Sequence, residues 1–405
     1  MPLASALFEP GTIGGLKIRN RFVRPATSET MADREGAVTE QLIDLYETLA
    51  GNQLGLLITG HLYVHPRGQY APRQTGIHDD SLAAGLARLT SRVRPHGARL
   101  FAQIAHAGSQ SRVPELEPLA PSPVPNALTG RMVAEATEAE IEVAIQSFGS
   151  AAARAAAAGF EGVHIHGANG YLISEFASPL ANRRNDRWGG SVSGRDAFPL
   201  AVVKAVRASV PRDLPVTMKI GFVDAPQGGL GLAESIPRAQ RLVEAGLDAI
   251  EVSCGLMESP KDSAGKYVAV DRRRALQDLL PHRLLAEPGP EAYFRSWARA
   301  LRDRVETKVI LVGGMRRTET MEDVLRSGDA DFLAMARPLI REPDLVRQIA
   351  EGRRGRVDCT SCNLCLMHEG HHSLRCWRTP RHRLLQHAAY RLRGGLRRGI
   401  LRTHA

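Results

Sequence analysis

Eight short apolar segments recur along the chain, centred on Phe22-Val23, Leu56-Ile58, Leu100-Gln103, Val163-Ile165, Val216-Ile220, Ala249-Val252, Val309-Val312 and Phe332-Ala334. Each has strand length, and the stretches between them are long enough to hold helices. The clearest helix opens with the capping box Thr137-Glu-Ala-Glu140 and places Ile141, Ile145, Phe148, Ala152 and Ala155 at three- and four-residue spacing before stopping at Gly159. A second, near Pro237 to Glu244, ends in Ala-Gly246 just before the strand that begins at Asp248. Strands alternating with helices make a parallel sheet, and eight is the number that closes a (β/α)8 TIM barrel, an α/β fold whose core needs about 250 residues. A doubly wound open sheet is the structural alternative. No GxGxxG opens a helix after any strand, so a dinucleotide-binding sheet lacks its signature. No repeat of solenoid length is present.

Composition narrows the reading. With 405 residues, 43% hydrophobic and 24% charged, the chain can bury a large core and is neither disordered nor a small disulfide scaffold. No apolar run approaches the roughly 18–20 residues of a membrane span, since even the Ala-rich stretch 149–159 is cut by Arg154. The opening MPLASALFEPG shows no basic leader, which gives the expectation of a cytoplasmic protein. Net charge is +10, carried by 53 basic against 43 acidic residues. Eight arginines lie between 378 and 405, where no acidic residue occurs, so residues 1–377 carry 45 basic against 43 acidic groups and are nearly neutral. The boundaries expected are a barrel over 1–350, a cysteine-bearing segment over 351–377 and a basic tail over 378–405. The tail's apolar positions Leu384, Leu385, Ala388, Leu392, Leu396 and Ile400 recur at near-helical spacing. Such a segment can lie on a membrane surface or bind RNA. The preferred reading is packing on its own barrel or on a partner subunit of a homo-oligomer; nucleic acid is not the expected partner.

In a barrel of this kind, functional side chains stand just past the C-terminal ends of the strands. The fourth strand exit is the richest: Gly159-Phe-Glu-Gly-Val-His-Ile-His166-Gly-Ala-Asn169-Gly-Tyr171-Leu-Ile-Ser-Glu-Phe-Ala-Ser-Pro179, followed by Asn182-Arg-Arg-Asn-Asp186-Arg-Trp-Gly-Gly-Ser191. This run resembles the signature of the old yellow enzyme family of FMN-dependent NADH:flavin oxidoreductases. The resemblance extends from Leu7 to Arg347 and includes Gly15-Leu-Lys-Ile-Arg-Asn20-Arg-Phe-Val23, Gln103-Ile-Ala-His106-Ala-Gly108, Val312-Gly313-Gly314 and Ala336-Arg337-Pro-Leu-Ile340, all in the family's chain order. It implies a TIM barrel that holds FMN at its mouth, takes hydride from NAD(P)H and reduces an activated C=C bond of a small-molecule substrate.

On that resemblance, His166 and Asn169 polarise the substrate carbonyl and Tyr171 donates the proton. Hydride addition to an unsaturated carbonyl builds negative charge on oxygen, and two N–H donors aimed there act as an oxyanion hole. The flavin site implied comprises Pro25, Ala26, Thr27 and Ser28 against the ring, with Ser28 nearest the position where relatives carry Thr or Cys and the register open by one residue. Gly60, closing the second strand, leaves room for the ring, although a plain strand-ending glycine reads as well. Gln103 meets the pyrimidine edge, Lys219 supplies a cation beside N1 and C2=O, and Gly313, Gly314, Ala336 and Arg337 face the phosphate. The chain departs from the family at three places. Ala336 replaces a usual Gly, Ser109 replaces a frequent Arg, and His164 replaces a frequent Glu. His164 shares a strand face with His166 and should point into the barrel as a satisfied core residue.

Cys359, Cys362, Cys365 and Cys376 crowd together, which in a reducing compartment points to a metal or redox site before disulfides. Iron–sulfur members of the family hold a 4Fe-4S cluster in this region, with different spacing between the second and third Cys. Zinc could also take four thiolates, or the thiols are reduced and structural. Two alternatives therefore stand beside the ene-reductase reading: an iron–sulfur flavoprotein that passes electrons between FMN and a cluster, and a non-enzymatic flavin- or metal-binding protein acting through its tail. A set of five matched residues, Gln103, His166, Asn169, Tyr171 and Lys219, argues against the last.

Overall fold

A computed structural model describes residues 5–125, 130, 132–256 and 291–393. Eight parallel strands form a closed ring: β1 (Phe22–Arg24), β2 (Leu56–Ile58), β3 (Arg99–Ala105), β4 (Gly162–Gly167), β5 (Val216–Gly221), β6 (Ala249–Ser253), β7 (Lys308–Val312) and β8 (Phe332–Ala334). Every neighbour pairs in order, and β8 returns to β1, so the sheet has no free edge. Each of the eight apolar segments read in the sequence is a barrel strand. The outer ring holds α1 (Glu40–Gly51), α2 (Ala83–Val93), α3 (Glu138–Ala157), α4 (Val192–Ala208), α5 (Leu232–Glu244), α6 (Arg295–Arg302) and α7 (Thr318–Arg326). In α3 the Thr137/Glu140 capping box forms in both directions. Its apolar stripe, Ile141, Ile145, Phe148, Ala152 and Ala155, is buried against the strands. Between α4 and α5 the carboxylate of Asp196 is buried with Arg238 and also meets Arg241, a three-residue ion cluster inside the helical layer.

The barrel interior is divided. Its lower layers are apolar: Val23, Leu56, Ile58, Phe101, Ala249, Ile310 and Phe332. A hairpin of Gly11–Ile13 and Leu16–Ile18 plugs the end from which the strands start, sending Ile13 and Ile18 into that cluster. The hairpin turn needs two left-handed residues, and Gly14 and Gly15 supply them at φ +53° and +82°. Toward the other end the inward positions become polar. Gln103 pairs in register with His164 on β4, His166 with Lys219 on β5, and Lys219 with Glu251 on β6. Period-2 alternation puts these residues on one face, and buried charges must then find one another. Glu251 meets Lys219 and lies 3.2 Å from His164, whose Nδ1 is 2.7 Å from Thr217 Oγ1. His164 is thus the buried, partnered core residue its strand face requires.

After β8 a short helix, α8 (Arg337–Arg341), leads to the cysteine-bearing segment, which crosses the polar end of the barrel. Gly370 N–H donates to Thr30 Oγ1, Leu374 N–H to the Glu29 carbonyl, and Arg337 to Asn363. The helix His382–Leu392 packs back on this segment through His387, whose Nδ1 is 2.8 Å from His368 Nε2. The remainder of the tail, 394–405, lies outside the described residues. Among the described residues no helix is long and apolar enough to cross a membrane.

Candidate active site

The exit of β4 sets the geometry. His166 is the last inward residue of the strand, 4% exposed, and its Nδ1 has no hydrogen-bond partner. Burial, followed by the nearness of His61, Lys219 and His164, pushes its ring well below the ordinary imidazole pKa, so it is neutral at physiological pH and carries one N–H. Asn169 follows in a left-handed conformation, φ +58°, with its N–H donating to the Cys254 carbonyl at 2.9 Å. Its Oδ1 accepts from Ser253 Oγ at 3.1 Å and from the Cys254 thiol at 3.3 Å. Burial raises the Cys254 pKa to about 11, so the sulfur keeps its hydrogen and donates it. Two donors on Oδ1 fix the amide, leaving Nδ2 as the group available to a ligand. Tyr171 caps the short helix Leu172–Ala177, and its ring meets His166 edge to face at 4.5 Å between centroids. Burial raises its hydroxyl well above the ordinary phenol pKa, with Tyr70 and Glu369 adding in the same direction.

The remaining expected residues distribute around the same mouth. Gln103 is 1% exposed on β3, and its Nε2 is a buried donor without a partner. Lys219 lies beside His166 but is committed to Glu251. Burial alone would raise the Glu251 carboxyl; the Lys219 ammonium and the His164 contact outweigh it and hold the pKa at about 2. Pro25 is buried, and Ala26, Thr27 and Ser28 line the rim half-exposed after β1. Gly60 N–H donates to Glu29 Oε1 at 2.9 Å and approaches Tyr46 Oη at 2.8 Å. A Cβ at Gly60 would overlap the Glu29 carboxylate and stand 2.7 Å from the Thr27 carbonyl oxygen. The glycine at this strand end therefore makes room for Glu29, a buried residue that also meets Arg24 at 3.2 Å.

Gly313 and Gly314 follow β7 at φ +107° and +76°, and a side chain at Gly313 would press into the ring of Tyr293. Ala336 precedes α8, and Arg337 Nη1 donates to Asn363 Oδ1 at 2.6 Å, joining the end of β8 to the cysteine segment. Cys359, Cys362, Cys365 and Cys376 line one cavity with Arg337 and Arg341. Among the described residues, no group of three or more His, Cys, Asp or Glu side chains stands where it could hold a metal ion. The residue types suit a metal and the arrangement does not.

Several groups at the mouth were not singled out from sequence: Glu29, His61, Tyr70, Gln74, Glu251 and Ser253. His61 directly follows Gly60 at a strand exit, the position at which functional side chains stand in such barrels. Glu251 is a charge inside an otherwise apolar strand, Ala249-Ile-Glu-Val252, and that was its signal.

A closed eight-stranded (β/α)8 barrel with imidazole, amide, phenol and ammonium groups converging at the C-terminal mouth places this chain among the barrel enzymes. Residues 6–355 match the NADH:flavin oxidoreductase / NADH oxidase family, and the chain belongs to it. It is 37% identical over 364 residues to an NADH oxidase of Thermoanaerobacter brockii, covering 88% of this chain and 53% of that protein. It is 36% identical to an NADPH dehydrogenase of a Geobacillus species, covering 84% and 92%. The chain thus spans about half the length of some relatives and most of others. Among solved structures, a 2-naphthoyl-CoA reductase complex superposes with a TM-score of 0.82 at 25% identity, covering 95% of this chain and 58% of that one. An old yellow enzyme homologue from Zymomonas mobilis gives 0.70 at 24% identity over 87% and 94%, a likeness of fold.

Proposed function

We propose that this chain is an FMN-dependent NAD(P)H oxidoreductase that reduces the C=C bond of an α,β-unsaturated carbonyl compound. The observation that carries the reading is the convergence of His166, Asn169 and Tyr171 from one strand exit beside a buried amide nitrogen, Gln103 Nε2, that has no partner. The residues fit the flavin. Gln103 offers an unmatched donor to a pyrimidine edge, Lys219 a cation beside it, Pro25, Ala26, Thr27 and Ser28 a rim along the ring, and Gly313, Gly314, Ala336 and Arg337 the loops in which such barrels hold phosphate. When bound, FMN supplies hydride transfer in two halves, from NAD(P)H and then to the β-carbon of the substrate.

The chain's own residues supply the rest. The substrate oxygen gains charge as the β-carbon is reduced, and the His166 N–H and Asn169 Nδ2 donate to it, each worth about 3 kcal/mol in such a site. A neutral His166 donates without placing a fixed cation beside the reduced product. Tyr171, with its raised pKa, keeps its proton until the α-carbon takes it. With NAD(P)H and substrate occupying the same flavin site in turn, turnover is ping-pong.

The test separates the half-reactions. Tyr171→Phe is expected to slow reoxidation of the reduced protein by cyclohexenone while its reduction by NADPH changes little. Equal loss in both would refute the assignment. Whether Cys359, Cys362, Cys365 and Cys376, which share one cavity without the arrangement that holds a metal ion, take up a 4Fe-4S cluster or zinc is a separate question on which no step above depends. Iron, sulfide and zinc analysis of anaerobically purified protein decides it.

A further inference from the structure

The phenol oxygen of Tyr171 and Nε2 of His61 lie 3.3 Å apart, and the chemistry depends on which of them supplies the hydrogen. Gln74 settles the matter. Its Oε1 accepts from the backbone N–H of Tyr70 at 2.6 Å, and its Nε2 donates to the backbone carbonyl of His61 at 2.7 Å. Exchanging the two ends of this amide would set N–H against N–H and oxygen against oxygen. Main-chain groups cannot change character, so the orientation is fixed. The same Nε2 stands 2.8 Å from His61 Nδ1. Facing a donor, Nδ1 is the acceptor and carries no hydrogen, so the N–H of the ring is on Nε2.

We propose that Gln74 locks His61 in the Nε2–H tautomer, so that His61 donates to the Tyr171 oxygen and directs the Tyr171 hydroxyl hydrogen out to the substrate. The inference rests on Tyr171 being the proton donor. In the opposite tautomer Nε2 would draw the phenol hydrogen onto itself, leaving a lone pair toward the α-carbon. With Nε2–H, the Tyr171 O–H bond breaks as the α-carbon–hydrogen bond forms. The phenolate left behind is held by the His61 N–H, His61 keeps its own proton, and water returns a proton to the phenol. His61 is a positioning residue and Gln74 positions it in turn. Tyr70, Glu369 and Arg112 also act on this phenol, and His166 faces it. Tyr70 also holds Gln74 Oε1 through its backbone N–H and lies edge to face with the His61 ring, on which His166 stacks, while the tautomer is set by the Gln74 Nε2 contact on His61 Nδ1.

Two measurements test this. The first is nitrogen NMR of the FMN-containing protein labelled at histidine, with His61 assigned by the signals lost in His61→Gln. A protonated Nε2 and a bare Nδ1 are expected, and the reverse pattern overturns the proposal without any turnover being measured. The second is stopped-flow kinetics. His61→Leu is expected to slow reoxidation by cyclohexenone about tenfold and to move the alkaline limb of that half-reaction up by about one pH unit, the effect of losing one hydrogen bond to a developing anion. Reduction by NADPH should change less than twofold, and His61→Gln, whose amide can donate from nearly the same place, should recover most of the rate. Wild-type reoxidation with an unmoved limb in His61→Leu, alongside a slow Tyr171→Phe, overturns this inference alone. If Tyr171→Phe also reoxidises at the wild-type rate, the proton-donor assignment falls first.

Discussion

Gly60→Ala is a severe substitution for a reason that has nothing to do with backbone conformation. The added methyl falls on the carboxylate of Glu29, which is buried and tied at once to Arg24, Tyr46 and the Gly60 N–H itself. The Thr27 carbonyl closes the other side at 2.7 Å, so the methyl cannot swing away and the carboxylate must move. Separating a buried ion pair and leaving the cation unmatched costs about 3–5 kcal/mol. Against a total stability of about 5–15 kcal/mol, that is a large share. The expected outcome is a denaturation midpoint well below wild type, with Tm lower by roughly 4–6 °C for a chain of this size. Unfolding by urea, followed by far-UV circular dichroism, measures it. A double-mutant cycle with Glu29→Ala isolates the carboxylate's share, because once it is gone the methyl has only the Thr27 carbonyl to clear and the second substitution should cost clearly less. Strictly additive losses would show that Gly60 is not making room for Glu29.

Other outcomes follow from buried groups. Burial raises the Glu175 carboxyl to about 8 even though Ser109 donates to it from both N and Oγ. The folded state therefore binds this proton more tightly than the unfolded chain, and the associated stability, present below pH ~4.5, is lost as pH rises to about 8. Glu175→Gln should flatten that part of the stability profile, and an unchanged slope refutes it. Asp196→Ala leaves Arg238 buried without its anion and is expected to cost about 3–5 kcal/mol in urea unfolding, with flavin content preserved in the folded fraction. Ser253→Ala with Cys254→Ala removes both donors to Asn169 Oδ1. Binding of a substituted phenol to the oxidised holoprotein, titrated by long-wavelength absorbance, should weaken about tenfold, and an unaltered Kd would mean the amide is held by something else. His166→Ala combined with Asn169→Ala should abolish the same absorbance change.

The barrel was legible because strand length and period are local properties. Eight apolar runs separated by helix-length spacers fix both the count and the order, and the α3 capping box is written in four consecutive residues, Thr137 to Glu140. The candidate site at the β4 exit could be proposed from sequence because His166, Asn169 and Tyr171 lie within six residues. What could not be read was the partner of each group across the barrel. Lys219 finds Glu251 only because β5 and β6 are neighbours in register. Cys254, alone in the sequence, becomes a donor to Asn169 only because the loops after β4 and β6 meet. Gly60 read equally well as room for a ligand or as a plain strand end, and its contact is with Glu29, which lies 31 positions away. These contacts depend on closure of the ring, which the sequence shows as a count and not as a register.

The division of the barrel interior also bears on how this protein can change. Its floor, from Ile13 and Ile18 to Phe332, is apolar and buried and contains none of the groups assigned to the chemistry. Volume-conserving exchanges there alter rigidity and melting behaviour. Its ceiling is a mesh of mutually dependent polar side chains in which one exchange orphans another. Robustness and specificity are therefore stored at opposite ends of the same eight strands. Variation can accumulate in the floor while selection acts on the rim, so a lineage, or a library of designed variants, can gain tolerance at one end and spend it on new substrates at the other.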